Sequence, residues 1–149
     1  MDVETIMTKD IVVASIQENI KALSSLMKKY DIGFLPLADG NHITGVITDR
    51  DIALACANGM NSSSKMTSYM SEQMVTISAS DSISDALEKM GQYKIKRLLV
   101  VTEKKVVGIL SLSDIVNHQT EGVLDTLKKI WEIDKNKPIF HTEIDEFYL

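Results

Sequence analysis

Cysteine is nearly absent from the chain. Cys56 is the only one in 149 residues, so no internal disulfide can form, and a lone thiol points to a reducing, cytoplasmic setting. Long apolar runs are also missing. None approaches the roughly 18 residues that a membrane span needs, and Asp2 and Glu4 break up any secretory leader. The three histidines stand far apart, at 42, 118 and 141, and with one cysteine they do not make a zinc site. Excess positive charge is lacking as well. Sixteen basic residues face 21 acidic ones for a net charge of −5, which argues against a nucleic-acid partner gripped through its phosphates. No nucleophile–base pair and no phosphate-cradling glycine loop stand out, so an enzyme is not expected. What remains is an ordinary globular balance, 44% hydrophobic and 25% charged, enough for one compact unit or two very small ones.

The chain is a duplication. Met7, Val12, Ser15, Ile20, Met27, Tyr30, Ile32, Leu35, Gly45, Asp51 and Ile52 recur as Met70, Val75, Ser78, Ile83, Met90, Tyr93, Ile95, Leu98, Gly108, Asp114 and Ile115. Every pair is 63 residues apart, so the halves align without a gap. The sequence divides into a first repeat at 1–57, a linker at 58–69, a second repeat at 70–120 and a C-terminal helix and tail at 121–149. Asn58–Lys65, rich in Asn, Ser and Gly, reads as surface linker.

Each repeat opens with a β-prone run, Ile11–Val13 in the first and Met74–Ile77 in the second. Helical spacing follows in Ile20, Leu23, Leu26, Met27 and Tyr30, and again in Ile83, Ala86, Leu87 and Met90. Asn19, and Ser80 or Asp81, are the expected N-caps. Two apolar runs then flank a turn: Phe34–Ala38 and Ile43–Ile47 around Asp39-Gly40-Asn41, and Leu98–Val101 and Val106–Leu110 around Glu103-Lys104-Lys105. A second helix closes each repeat, near Asp49–Ala57 and near Leu112–Gln119. The order is β-α-β-β-α, twice, an α+β chain. A repeat of about 50 residues has a thin core, so the halves are expected to share a face.

The last strand of each repeat runs into a recurring junction, Gly45-Val46-Ile47-Thr48-Asp49-Arg50-Asp51 and Gly108-Ile109-Leu110-Ser111-Leu112-Ser113-Asp114. A hydroxyl followed three residues later by an acid is a capping-box helix start, and capping alone can account for it. The same geometry also suits a nucleotide. A helix N-terminus attracts phosphate, a hydroxyl bonds a phosphate or sugar oxygen, and an aspartate can accept from both hydroxyls of a ribose.

The doubled β-α-β-β-α unit and its Gly-x-x-[Ser/Thr]-x-x-Asp junction resemble a tandem pair of cystathionine-β-synthase-type (CBS) domains, a Bateman module. The resemblance covers about residues 3–120. Ile6-Met7-Thr8, Gly45–Ile52 and Lys96–Val101 carry it, and Gly108–Ile115 is similar to a segment of the γ subunits of AMP-activated kinases. It implies two repeats packed sheet to sheet as a pseudo-two-fold disk with two clefts, plus the C-terminal helical tail. It implies an adenosyl ligand in those clefts: AMP, ADP, ATP or S-adenosylmethionine. By motif position, Asp51 and Asp114 would hold ribose hydroxyls, and Thr48 and Ser111 the ribose or α-phosphate. Met7, Val12, Met70 and Val75 would wall the adenine, and Arg97 with Lys96 would meet phosphate. A homodimer through the helices, an unidentified effector protein and a regulatory role without catalysis are also implied.

The halves are not equivalent. Arg50 has Ser113 as its counterpart, Arg97 has Phe34, Lys96 has Gly33, and Pro36 has Leu99. One well-occupied cleft and one weaker or empty one are expected, since each cation near a phosphate adds a charge-assisted bond. Of the eight methionines, Met27 and Met90 are expected in cores, while Met60, Met66, Met70 and Met74 cluster around the linker. Cys56 is expected buried, and His42 and His118 on the surface. Val123, Leu127, Ile130 and Trp131 form a stripe that either covers the module's own core or docks a partner. Ile139-Phe140 and Phe147-Tyr148-Leu149 favour the second option. The competing reading is a dimerisation scaffold with vestigial clefts, in which Thr48, Asp51, Ser111 and Asp114 are caps and nothing more.

Overall fold

A computed structural model describes residues 1–118, 121–131 and 148. In the first repeat, β1 (Ala14–Ser15), α1 (Ile20–Tyr30), β2 (Phe34–Asp39), β3 (His42–Thr48) and α2 (Asp49–Ala57) follow in order. The second has β4 (Thr76–Ser78), α3 (Ile83–Tyr93), β5 (Arg97–Thr102), β6 (Lys105–Ser111) and α4 (Leu112–His118), and α5 (Val123–Ile130) comes after it. The architecture is α+β. Each repeat builds a three-stranded sheet with its second strand in the middle, parallel to the first strand and antiparallel to the third.

The main departures from the sequence reading lie at element starts. Ile11–Val13 belongs to no strand, and the first strands begin further along, at Ala14 and Thr76, because only two or three residues of each reach the parallel neighbour. Asn19 caps α1 as expected, accepting from the Ala22 N–H. The cap of α3 is Ser82, not Ser80 or Asp81. Ser82 and Asp85 form a reciprocal capping box, which fixes the first turn, and the Asp81 carboxylate is taken by the Ser78 N–H. Both α1 and α3 end in a left-handed residue, Asp31 (φ 51°) and Lys94 (φ 54°).

The halves are joined by exchange. The 3₁₀ turn Val3–Thr5 at the start of the chain buries Val3 in the core of the second repeat, among Ile77, Ile83, Met90 and Leu98. Met66, 63 residues on, is buried in the core of the first repeat among Leu23, Leu35 and Ile47. Just beyond, Thr8 exchanges two backbone hydrogen bonds of 2.9 Å with Ile109 of β6, and Ser71 exchanges bonds of 2.9 and 3.0 Å with Val46 of β3. Each lead segment thus packs on the other repeat. The segment read as surface linker is tied down on the way: Ser62 and Ser64 carbonyls accept from the Lys21 and Ile20 N–H groups at the start of α1.

This exchange explains the junction glycines. A Cβ at Gly108 would lie 2.7 Å from the Met7 sulfur and 2.8 Å from the Thr8 carbonyl oxygen. At Gly45 it would lie 2.7 Å from the Met70 sulfur and 3.0 Å from the Ser71 carbonyl oxygen. Helix α5 packs on the second repeat, burying Val123 and Thr126 against α3 with Leu127 and Ile130 alongside. Trp131, at its end, is 56% exposed. Cys56 is exposed, contrary to expectation, because α2 turns Ala55 inward and leaves its neighbour outside. Tyr148 is exposed, and the apolar residues Ile139, Phe140, Phe147 and Leu149 lie outside the described residues.

Candidate functional site

Three cavities are lined by residues of both halves; one, of about 550 Å³, lies by the hairpin turns, and the other two take in the junctions and are mirror images in sequence. The larger, of about 600 Å³, takes Thr48, Asp49, Arg50 and Asp51 from the first junction. Its opposite wall is Ser71, Gln73, Met74 and Val75 with Lys94–Arg97, all from the second repeat. The smaller, of about 250 Å³, takes Ser111, Ser113 and Asp114 from the second junction, with Thr8, Asp10–Val12 and Asp31–Phe34 from the first repeat opposite. Each cleft therefore needs both repeats. Of the two junction clefts, the larger alone falls within the roughly 300–1,000 Å³ of typical ligand sites.

The candidate residues divide as follows. Thr48, Arg50, Asp51, Val75, Lys96 and Arg97 come together in the larger cavity. Ser111, Asp114 and Val12 line the smaller, and Arg97 lines that one too. Met7 and Met70 line neither. They are the side chains that fill the space over Gly108 and Gly45. Among the linker methionines, Met66 is core, Met60 and Met70 pack against that core, and Met74 reaches the larger cavity. Gln73, Asp49, Asp10 and Asp31 are lining residues that motif reading passes over, although the interval of 63 already pairs 10 with 73 and 31 with 94.

Both junctions are helix caps. Asp51 Oδ2 accepts from the Thr48 N–H at 2.8 Å and from its hydroxyl at 3.1 Å, while the Asp51 N–H donates to Thr48 Oγ1 at 3.2 Å. Asp114 Oδ2 does the same with Ser111, at 2.8 and 2.7 Å, and the Asp114 N–H donates to Ser111 Oγ at 3.1 Å. Capping uses only one oxygen of each carboxylate. Oδ1 of Asp51 and of Asp114 accepts no hydrogen bond among the described residues.

The start of α2 is less open than its dipole suggests. The Asp49 N–H donates to the Gly33 carbonyl, the Arg50 N–H to Asp49 Oδ1, and the Asp51 N–H to Thr48. These three N–H groups are therefore already engaged. A hydroxyl has one proton and two lone pairs. Thr48 gives its proton to Asp51 and receives one N–H, which leaves a lone pair suited to a sugar hydroxyl and not to a phosphate oxygen. Ser111 also has the Ser113 hydroxyl 2.9 Å away. With its own proton on Asp114, Ser111 accepts there and is saturated.

The charge lining differs sharply. The larger cavity sets Arg50, Lys94, Lys96 and Arg97 against Asp49 and Asp51. The smaller sets Asp10, Asp31 and Asp114 against Arg97 alone among the described residues. Arg97 sits between them, its guanidinium 5.7 Å from the ring centre of Phe34, its own counterpart in the first repeat. Lys96 Nζ stands 5.8 Å from the ring centre of Trp131, connecting the larger cavity to the end of α5. No group of His, Cys, Asp and Glu able to hold a metal ion occurs among the described residues.

The CBS domain family model matches residues 3–58 and 66–121. The CBS domain-containing protein YhcV of Bacillus subtilis is 33% identical over 118 residues, spanning 78% of this chain and 84% of that protein. The solved CBS domain pair of protein MJ0100, in complex with 5′-methylthioadenosine and S-adenosyl-L-methionine, is 27% identical with a TM-score of 0.72, covering 78% of this chain and 94% of that one. The CBS domain protein PAE2072 of Pyrobaculum aerophilum, solved with AMP, shares the fold at 20% identity and a TM-score of 0.73, covering 86% and 99%.

Proposed function

The chain belongs to the CBS domain family, with two copies in tandem, and from that premise we propose that it is a non-catalytic regulatory module that binds a phosphorylated adenine nucleotide (AMP, ADP or ATP) in its larger cavity. One observation carries the reading: the first junction, with a free carboxylate oxygen and a free hydroxyl lone pair, shares a cleft of about 600 Å³ with Arg50, Lys96 and Arg97. The carboxylate and hydroxyl suit a ribose, the three cations a phosphate, and Val75 and Met74 an apolar base. That MJ0100 is solved with adenosyl compounds supports the same ligand class. S-adenosylmethionine fits the cations less well, because its sulfonium brings positive charge to them.

The signal passes on through conformation or partner binding. Leu54 on α2 and Val116 on α4, 42% and 44% exposed, give the outer helices an apolar face that suits a homodimer.

The test is a thermal melt and a calorimetric titration with AMP, ADP, ATP and S-adenosylmethionine. A nucleotide at 100 times its dissociation constant stabilises by about 2.7 kcal/mol, which for a chain of this size raises Tm by about 5–10 °C. Asp51→Asn, which keeps an acceptor for the cap, should lose affinity with little change in the unliganded melt. If no adenosyl compound shifts the melt, the clefts are vestigial and the chain is a scaffold in which Asp51 and Asp114 only cap.

A further inference from the structure

We infer that the two clefts sort adenosyl ligands by charge: a phosphate in the larger cleft holds Arg97 there, and the aspartates of the smaller cleft, Asp10, Asp31 and Asp114, bar a second phosphate. The inference rests on the nucleotide reading above and specifies it. Arg97 lines both cavities and is, among the described residues, the only cation on the smaller one. A single guanidinium cannot form a bidentate contact in both cavities at once. Arg50 and Lys96 face the larger cavity alone, so a phosphate there has three cations to draw on and holds Arg97 on that side.

The smaller cleft is then left with Asp10, Asp31 and Asp114 and no cation. A phosphate entering it would meet like charge at short range, in the geometry where exclusion is strongest. Size agrees with charge. At about 250 Å³ the smaller cleft has less than half the room of the larger, at about 600 Å³, and so favours the smaller ligand, one without a phosphate tail. The sugar end of that cleft has the free Oδ1 of Asp114 but a saturated Ser111, and Ser113 occupies the station that Arg50 holds opposite. The larger cleft therefore takes the nucleotide, and the smaller takes an uncharged or cationic nucleoside. Both can be filled at once.

The full chain is titrated calorimetrically with AMP, then with adenosine in the presence of saturating AMP. One AMP per chain is expected, followed by one adenosine that does not displace it. The double variant Asp10→Asn, Asp31→Asn removes two charges from exposed positions, and asparagine suits the left-handed backbone at 31. Its affinity for a second AMP should rise by about tenfold or more. Thermal melts of the double variant verify that it folds. Two equivalent AMP sites in the wild-type chain, displacement of AMP by adenosine one for one, or a double variant that still takes a single AMP would each overturn the sorting. Absence of any AMP binding is a different failure, and it removes the nucleotide reading itself.

Discussion

Gly108→Ala and Gly45→Ala differ by a single methyl each, yet the exchange of lead segments gives them distinct signatures. At Gly108 the new Cβ would lie 2.7 Å from the Met7 sulfur and 2.8 Å from the Thr8 carbonyl oxygen. The thioether can swing aside. The carbonyl cannot, because it accepts the Ile109 N–H at 2.9 Å while the Thr8 N–H donates back at 2.9 Å. Relieving the clash means moving Thr8 by more than half an ångström, which strains or breaks both bonds. Overpacking of this kind costs about 1–3 kcal/mol and each net hydrogen bond about 1, so Gly108→Ala should destabilise by about 2–4 kcal/mol and lower Tm by about 4–16 °C. At Gly45 the nearest backbone oxygen, that of Ser71, is 3.0 Å away, so the loss there should be smaller. The binding phenotypes should run the other way. Ser71 and Val46 line the larger cavity, Thr8 and Ile109 the smaller. Gly45→Ala should weaken AMP binding in calorimetry, and Gly108→Ala should leave it near the wild-type value below its own melting range. A Gly108→Ala protein that melts with the wild type, or one that loses AMP affinity while Gly45→Ala keeps it, would refute the reasoning.

Trp131 is the only tryptophan, and Lys96 stands over its ring. AMP in the larger cavity should draw Lys96 away and change the tryptophan emission, while Lys96→Gln should alter the unliganded spectrum and abolish the change. The Asp85 carboxyl lies below its ordinary value of 3.8, held down first by the Ser82 hydroxyl and then by the Ser82 N–H. A depressed carboxylate adds stability that is present above the unfolded pKa and lost as pH falls through the folded one. The Tm gap between wild type and Asp85→Asn should therefore be open at about pH 5 and close on acidification below 3.8. Leu54→Glu places a charge on the exposed apolar face of α2, and sedimentation velocity should show it shifting a wild-type dimer to monomer with its melt little changed.

The repeat, the element order and the hairpin pairs were legible because they rest on local periodicity and on an interval of 63 that no insertion interrupts. The run Met74–Ile77 overlaps β4, but the first strand of the first repeat was not legible, since Ile11–Val13 is apolar for a different reason: Ile11 and Val12 line a cavity instead of pairing. The cap at Ser82 was missed, with Ser80 or Asp81 expected in its place, because the choice depends on which hydroxyl finds its acid three residues later. Cys56 was misjudged because helix spacing gives the buried stripe without its exact phase, and Ala55 took the inner position. At the candidate site the residues were readable, but their partners were not. Two matched ladders fit equally well whether each lead segment stays with its own repeat or crosses to the other. Only the three-dimensional arrangement puts Lys96 and Arg97 beside Asp51, and Val12 beside Asp114. Nor does a sequence reveal that the N–H groups opening α2 are already engaged.

The crossing of Val3–Thr8 and Met66–Ser71 has a consequence for ancestry. A polypeptide with one repeat would own half of two basins and the whole of neither. Two such polypeptides, meeting about the same dyad, would make a pair of identical basins, obliged to stay identical because one gene encodes both. Tandem fusion lifts that obligation. Glycine can stand at 33 and lysine at 96, and a single molecule acquires two unlike cavities that still share a wall.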